Sequence, residues 1–282
     1  MKQQLILKWM MVLPMFLFII SCESQKGTNV TGTNEAVDKE LTLNKQGNVI
    51  ARHNQIENLQ TLDRFQNLTV DRKPATIRIV HYTIEGDPIY YDLTSNTDHI
   101  TFINDNSEDA FGSPNIQTST CDQLSRTETK TNIKYDLSGC TGSYSDRFTV
   151  MDVDYDVSRQ DYFEFVLKYG VDLKNEIDTN GQSLTIDLGN DQMMNVSDFR
   201  LTSAMKQEAY KQMVLANYLG EKKLSNVCKK SPYVSYSLEV RINSGKRDFS
   251  WAACDTSEDG LVMTKLAENI IQMVKLSPEY PK

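Results

Sequence analysis

The chain has 282 residues, 39% hydrophobic and 24% charged, with 30 basic against 38 acidic side chains and a formal charge of −8. That length fits one large domain or two of ordinary size, and the acidic balance disfavours nucleic acid and anionic lipid, which need a concentrated basic face. Past the N-terminus, no stretch approaches the roughly 18 continuous apolar residues of a membrane-spanning helix.

The N-terminus carries Lys2 and Lys8, an apolar run over residues 10–20, and then Ile19-Ile20-Ser21-Cys22. A short basic flank, an apolar core too brief to span a bilayer comfortably and a small residue read as a secretory signal. The cysteine directly after the small residue makes this a lipobox, which directs diacylglycerol attachment and cleavage before that cysteine. Residues 1–21 are therefore expected to be a signal peptide. Cys22 becomes the lipidation site, anchoring the protein at the extracytoplasmic face of the cell membrane. Cleavage takes two lysines away, leaving 28 basic against 38 acidic residues, or −10. Residues 22–43 are polar, rich in Gly, Thr and Asn, and without hydrophobic period. Such a segment buries too little apolar area to offset its ordering entropy and reads as a flexible tether, spanning about 25 Å on average.

Residues 44–146 form the first expected domain. Ile56, Leu59, Leu62 and Phe65, joined by Leu68, recur at threes and predict one amphipathic helix that Pro74 stops. Residues 76–84 are β-branched and strand-like, residues 85–88 are a turn, and Ile89, Tyr91 and Leu93 alternate with Tyr90, Asp92 and Thr94. Further strands are predicted over 99–103 and around Ile133, Tyr135 and Leu137. Residues 147–282 form the second domain. Strands are predicted over 162–169 and 183–188, with a turn at 178–181, and a helix from about 201 to 219 with Gly220 as its C-cap. Val234, Tyr236, Leu238, Val240 and Ile242 alternate on a strand that turns at 243–245 into a second, carrying Phe249 and Trp251. A closing helix over 258–276 is capped by Ser257 and turns Leu261, Leu266, Ile270 and Val274 inward. Sheet followed by helix twice, without βαβ alternation, predicts an α+β fold of two small domains, each an antiparallel sheet packed by one or two helices.

Four cysteines remain beside Cys22. They permit three connectivities, and local pairing of Cys121 with Cys140 and of Cys228 with Cys254 is favoured because each pair brackets neighbouring strands in its own half. Export makes disulfides plausible; the alternative is buried free thiols acting as small hydrophobes. Each bridge would close a loop of about 20 to 27 residues, worth roughly 3 to 3.5 kcal/mol in the chain-entropy account.

Several landmarks between residues 56 and 140 resemble a known family. They are Asn58-Leu59-Gln60-Thr61-Leu62-Asp63, the run Ile77-Arg78-Ile79-Val80-His81-Tyr82-Thr83-Ile84-Glu85-Gly86-Asp87-Pro88-Ile89, Asp105-Asn106-Ser107, Phe111-Gly112, Thr118-Ser119-Thr120-Cys121 and Leu137-Ser138-Gly139-Cys140. This stretch, about a third of the chain, resembles the lipoproteins of Gram-positive bacilli that carry domain of unknown function 4362. The second half, with Leu167-Lys168-Tyr169-Gly170-Val171 and Lys174-Asn175-Glu176-Ile177-Asp178-Thr179, is similar to a C-terminal module of other such lipoproteins. The resemblance implies place and fold and supplies no catalytic residue.

The residues themselves offer no catalytic motif. His53, His81 and His99 are the three histidines, and none stands in an HxxxH or HExxH arrangement or near a GxSxG elbow. His81 alternates with Ile77 and Ile79 and reads as a hydrogen-bonded, partly buried strand histidine. Asp152, Asp154 and Asp156 suggest calcium, but an EF-hand loop needs Gly and Glu where Val157 and Phe163 stand. Alternation with Met151, Val153 and Tyr155 favours a solvated strand face. Asp105, Glu108 and Asp109 are a second acidic cluster, equally explained as a soluble loop. Among the aromatics, Tyr233 beside Pro232, and Tyr90, are the contact-surface candidates. The expected function is therefore a membrane-anchored, non-catalytic binding or interaction module meeting an envelope protein, with no cofactor and no metal. The alternatives are a transporter's solute-binding lipoprotein, which needs two lobes around a cleft, and a cell-wall or peptide hydrolase. The deciding observation is whether His81 or an Asp/Glu pair lines a concave pocket.

Overall fold

The computed structural model describes residues 47–53 and 55–281. The expected signal peptide, lipidated Cys22 and tether of residues 22–43 lie outside the described residues. The described chain is α+β, with strands dominating and three helices set against two sheets.

The first sheet opens with a hairpin, β1 (Val49–Arg52) and β2 (Gln55–Glu57), followed by helix α1 (Leu59–Val70) and β3 (Ala75–Tyr82). Ile56, expected on the helix, sits in β2. Asn58 adopts a left-handed conformation (φ 59°) that parts strand from helix. Leu59, Leu62 and Phe65 are the buried face of α1, as their spacing predicts. The helix ends in a Schellman arrangement: the Arg72 N–H donates to Thr69 O and the Lys73 N–H to Leu68 O. Arg72 fills the left-handed position of that turn with φ 56°. β1 lies parallel to β3, Val49 opposite Ile79, whereas β3 pairs antiparallel with β4 (Pro88–Ser95) and β4 with β5 (Ile100–Asp105).

β6 (Ile116–Cys121) and β7 (Gln123–Glu128) share one register against β8 (Asn132–Gly142), with Ser119 opposite Gly142 and Gln123 opposite Ser138. That ladder sets Cys121 directly across from Cys140, and the disulfide joins them at a Cα separation of 3.9 Å. β9 (Asp146–Asp154) takes the other edge of β8, with bulges where the register slips. Gly139 forms one of them at φ 63°, and a Cβ there would meet the Asp122 carboxylate at 2.1 Å. Bulges bend a strand and tighten its twist. Here they accompany a β9 that reaches the inner face of β3–β5, where Val150 O lies 2.9 Å from His81 Nε2. Phe148 meets the rings of Tyr91, Phe102 and Tyr144 there, at centroid distances of 5.4, 4.7 and 4.5 Å.

After a 3₁₀ turn at Val157–Arg159, the second sheet comprises β10 (Phe163–Val171), β11 (Asn175–Asp178), β12 (Ser183–Gly189), β13 (Gln192–Ser197), β14 (Val234–Ile242) and β15 (Gly245–Ala252). It is antiparallel throughout, ordered β13-β12-β11-β10-β14-β15. Helices α2 (Ser203–Leu215) and α3 (Glu258–Lys275) contribute to its core. Tyr210 of α2 meets Phe163 at 5.0 Å, and Trp251 Nε1 donates to Thr264 Oγ1 of α3 at 2.9 Å. The C-cap of α2 is not Gly220. Asn217 takes the left-handed position (φ 49°) and, with Tyr218, closes a second Schellman turn four residues short of the expected end. Ser257 caps α3 as predicted, accepting from the Gly260 N–H at 3.1 Å. Leu261, expected inward, is 58% exposed. The buried stripe runs through Gly260, Met263, Ala267, Ile270 and Val274, and position 261 falls off it.

The second disulfide, Cys228–Cys254, ties the segment before β14 to the turn after β15. The expected boundary at 146/147 falls at the start of β9, which belongs to the first sheet. Buried residues from Val49 to Val274 form a single contiguous cluster that joins both sheets.

Candidate functional site

Strand alternation gives β3–β6 two unlike faces. One carries Ile77, Ile79, Leu93 and Phe102 into the core. The register sets the other in rows. Thr76, Thr94, Thr101, Thr120 and Thr141 stand opposite one another across β3, β4, β5, β6 and β8. The adjacent row is Arg78, Asp92, Ile103 and Thr118, and the next is Ile50, Val80, Tyr90, Asp105 and Ile116. Neighbouring rows are roughly 7 Å apart along the strands, and neighbours within a row about 4.8 Å. Threonine suits a pleated, half-exposed surface and pairs well across strands, so the first row is a stable, solvated strip.

The chemistry of this face gathers around two arginine–tyrosine stacks. The Arg78 guanidinium lies 4.8 Å from the Tyr90 ring centroid, and Arg52 lies 4.3 Å from that of Tyr82. Arg78 also forks onto Asp92, Nε to Oδ1 at 2.6 Å and Nη2 to Oδ2 at 2.7 Å, which fixes its plane. Tyr90 Oη donates to Glu108 at 3.2 Å, and its pKa is raised by burial first and by the Glu108 charge second. Val80 beneath them is only 6% exposed although it stands outside the main core cluster. The stacks thus shield a small apolar patch of their own. Exposed Ile84, Phe111 and Ile116 lie on segments bordering or crossing this face.

Tyr233 lies just before β14 in the second sheet, its hydroxyl donating to Asn226 O at 3.2 Å, so it and Tyr90 belong to different surfaces. His81 turns inward. Its Nε2 bonds Val150 O, its ring lies 4.6 Å from that of Tyr91, and burial lowers its pKa. His53 occupies the turn after β1 with φ 55°, and His99 precedes β5, where its Nε2 lies 2.9 Å from Asn96 Nδ2. Asp152 and Asp154 form an exposed strand face, paired with Lys134 at 3.1 Å and with Arg159, while Asp156 accepts from the Ser158 N–H. Asp105 and Asp109 are engaged by backbone N–H groups of their own loop. Among the described residues no group of three His, Cys, Asp or Glu side chains converges to hold a metal ion.

Two concavities went unforeseen, because each is assembled from segments distant in sequence. One, of about 390 Å³, lies between the β1–β2 hairpin with the start of α1 on one side and the end of α2 with the start of α3 on the other. Much of its lining is already engaged: Lys222 with Asp259 at 3.2 Å, Glu221 with Arg247 at 3.2 Å, Gln60 with Glu258 at 3.3 Å. The second, of about 370 Å³, lies where the end of α1 meets the β4–β5 turn, and it does contain an aspartate pair, Asp98 and Asp122.

Residues 46–136 match a family model described as Domain of unknown function (DUF4362). That segment spans β1 through the first part of β8 and so includes both stacks of the open face. No curated protein matches the chain.

Proposed function

We propose that this protein is a lipid-anchored, non-catalytic contact module of the cell envelope, held at the extracytoplasmic membrane face through Cys22 and meeting a protein partner through the open face of β1–β6. The two Arg–Tyr stacks carry this reading. Tyrosine and arginine are the side chains that dominate binding energy at protein interfaces. A planar guanidinium already fixed by Asp92 and a ring loses little freedom when a partner covers it. The Ser21-Cys22 signal, the polar residues 22–43 and the matched segment 46–136 support the anchoring and modular parts of the reading. A transporter solute-binding role is the second reading, favoured by the cavity between the two sheets and disfavoured by its internally engaged charges.

The test uses the whole chain in its membrane, with a photo-crosslinking residue placed at Thr118 on the open face or at Ser237 on the charged outer face of the second sheet. A defined crosslinked species is expected from Thr118 and none from Ser237. Tyr90→Ala should weaken capture by roughly thirtyfold, the order expected for an interface anchor worth about 2 kcal/mol. Equal crosslinking from both positions, or no loss in Tyr90→Ala, rejects the surface. Cys22→Ala releasing the chain from the membrane fraction tests the anchor separately.

A further inference from the structure

We infer that the cavity at the end of α1 is a binding site for a small zwitterion, a free amino acid or a short peptide with both termini unblocked. It lies apart from the Arg–Tyr face and rests on different observations. Its walls come from three segments far apart in sequence: the last turn of α1, the β4–β5 turn, and the strand junction just after Cys121. Their polar side chains include Arg72, Ser95, Thr97, Asp98, His99 and Asp122. The volume, about 370 Å³, falls at the small end of the 300–1,000 Å³ typical of ligand pockets.

The lining charges select the ligand. Among the described residues Arg72, Asp98 and Asp122 form no ion pair, although a cation and two carboxylates border one cavity. A divalent cation is disfavoured, because the two carboxylates and His99 do not converge on a common point. A simple anion would meet Arg72 but also two negative groups. A molecule with one ammonium and one carboxylate satisfies both kinds of group. Ser95, only 5% exposed, and Thr97 and Gln123 supply neutral donors and acceptors between them.

The backbone points to the same place. Arg72 holds a left-handed turn position that glycine fills with less strain, and β-branched Thr97 sits at φ 92°. Of the thirteen described non-glycine residues at positive φ these two border this cavity, and Thr97, being β-branched, is the more strained of them.

The experiment is retention of a dipeptide mixture by the full chain in equilibrium dialysis, read by mass spectrometry. The mixture is offered with free termini, N-acetylated, C-amidated or blocked at both ends. At least tenfold preference for free over doubly blocked dipeptides is expected. Arg72→Gly keeps the turn and removes the guanidinium, so it should abolish discrimination between free and amidated carboxyl ends while leaving the fold at least as heat-stable. Asp98→Asn with Asp122→Asn should abolish discrimination between free and acetylated amino ends. Lys73→Gln, whose lysine pairs with Asp71 on the surface, should change neither. No retention, equal retention of free and blocked peptides, or discrimination unaltered in Arg72→Gly overturns the inference. If the aspartate variant fails to fold, the wild-type comparison and Arg72→Gly still decide.

Discussion

At the scale of single residues, burial decides what His81 does. Facing the Tyr91 ring and bonded to Val150 O, it is cheaper to keep neutral than to charge, and its pKa is lowered by desolvation first, with the backbone bond opposing. The unfolded chain, with a histidine pKa near 6.5, therefore binds more protons than the folded one between that value and the lowered folded value. Stability contributed by neutral His81 is complete above about pH 6.5 and declines as the pH falls toward the folded pKa. Urea midpoints measured at pH 7.5 and 5.5 should drop on the acid side, and His81→Gln, which still offers Val150 an amide donor, should flatten that drop. An unchanged slope in the variant assigns it elsewhere. Carboxylates held low by hydrogen bonds, such as Asp255 by the Ser225 and Ser257 N–H groups, lose their stabilisation only in a more acidic window, below about pH 4.

At the scale of elements, what the sequence revealed depended on whether one face of an element was apolar enough to show a period. α3 did: Leu266, Ile270 and Val274 are buried and Ser257 caps it, yet Leu261 was misplaced because a leucine off the stripe looks like one on it. Leu266→Ala should cost about 2–5 kcal/mol and Ser257→Ala about 1 kcal/mol, whereas Leu261→Ala should stay within about 0.5 kcal/mol, all measured by denaturant unfolding. β14 was equally plain. β6, β7 and β13 were not, since each carries polar residues on both faces and only pairing with neighbours makes them strands. The end of α2 was misread for a related reason. Asn217, like Arg72 after α1, closes its turn in left-handed geometry that glycine usually signals. The open Arg–Tyr face was visible only as Tyr90, because its other members meet through cross-strand register. Both local cysteine pairs formed as expected, but in unlike surroundings. Cys121 and Cys140 are buried at 0% and 5% exposure, whereas Cys254 is exposed. Thiol–disulfide exchange requires access to a sulfur. Mild dithiothreitol treatment of the native protein followed by iodoacetamide and peptide mapping should therefore label Cys228 and Cys254 well before Cys121 and Cys140.

At the scale of the whole molecule, the two sheets are linked by more than a connecting chain. Their buried residues are one cluster, and polar contacts span the junction. Gln207 of α2 donates to Tyr155 O at 2.7 Å and accepts from the Val157 N–H at 3.2 Å, and Lys211 pairs with Glu128 at the end of β7. That ion pair continues through Arg126 to Asp63 on α1, at 2.7 and 2.9 Å, and Tyr135 donates to Asp63 at 2.6 Å. A helix of the second half is thus tied through β7 to the helix of the first. Exposed ion pairs add little alone, but a shared apolar core makes unfolding of one half expose surface of the other. Trp251, the only tryptophan after Cys22, is buried in the second sheet and reports on that half. Ile79→Ala removes a buried side chain from the first sheet and should cost about 2–5 kcal/mol. If the two halves unfold as one, that substitution lowers the urea midpoint seen by Trp251 fluorescence as much as the midpoint seen by far-ultraviolet circular dichroism. A Trp251 midpoint that stays in place while the dichroism transition splits would instead show two independently stable modules sharing a surface.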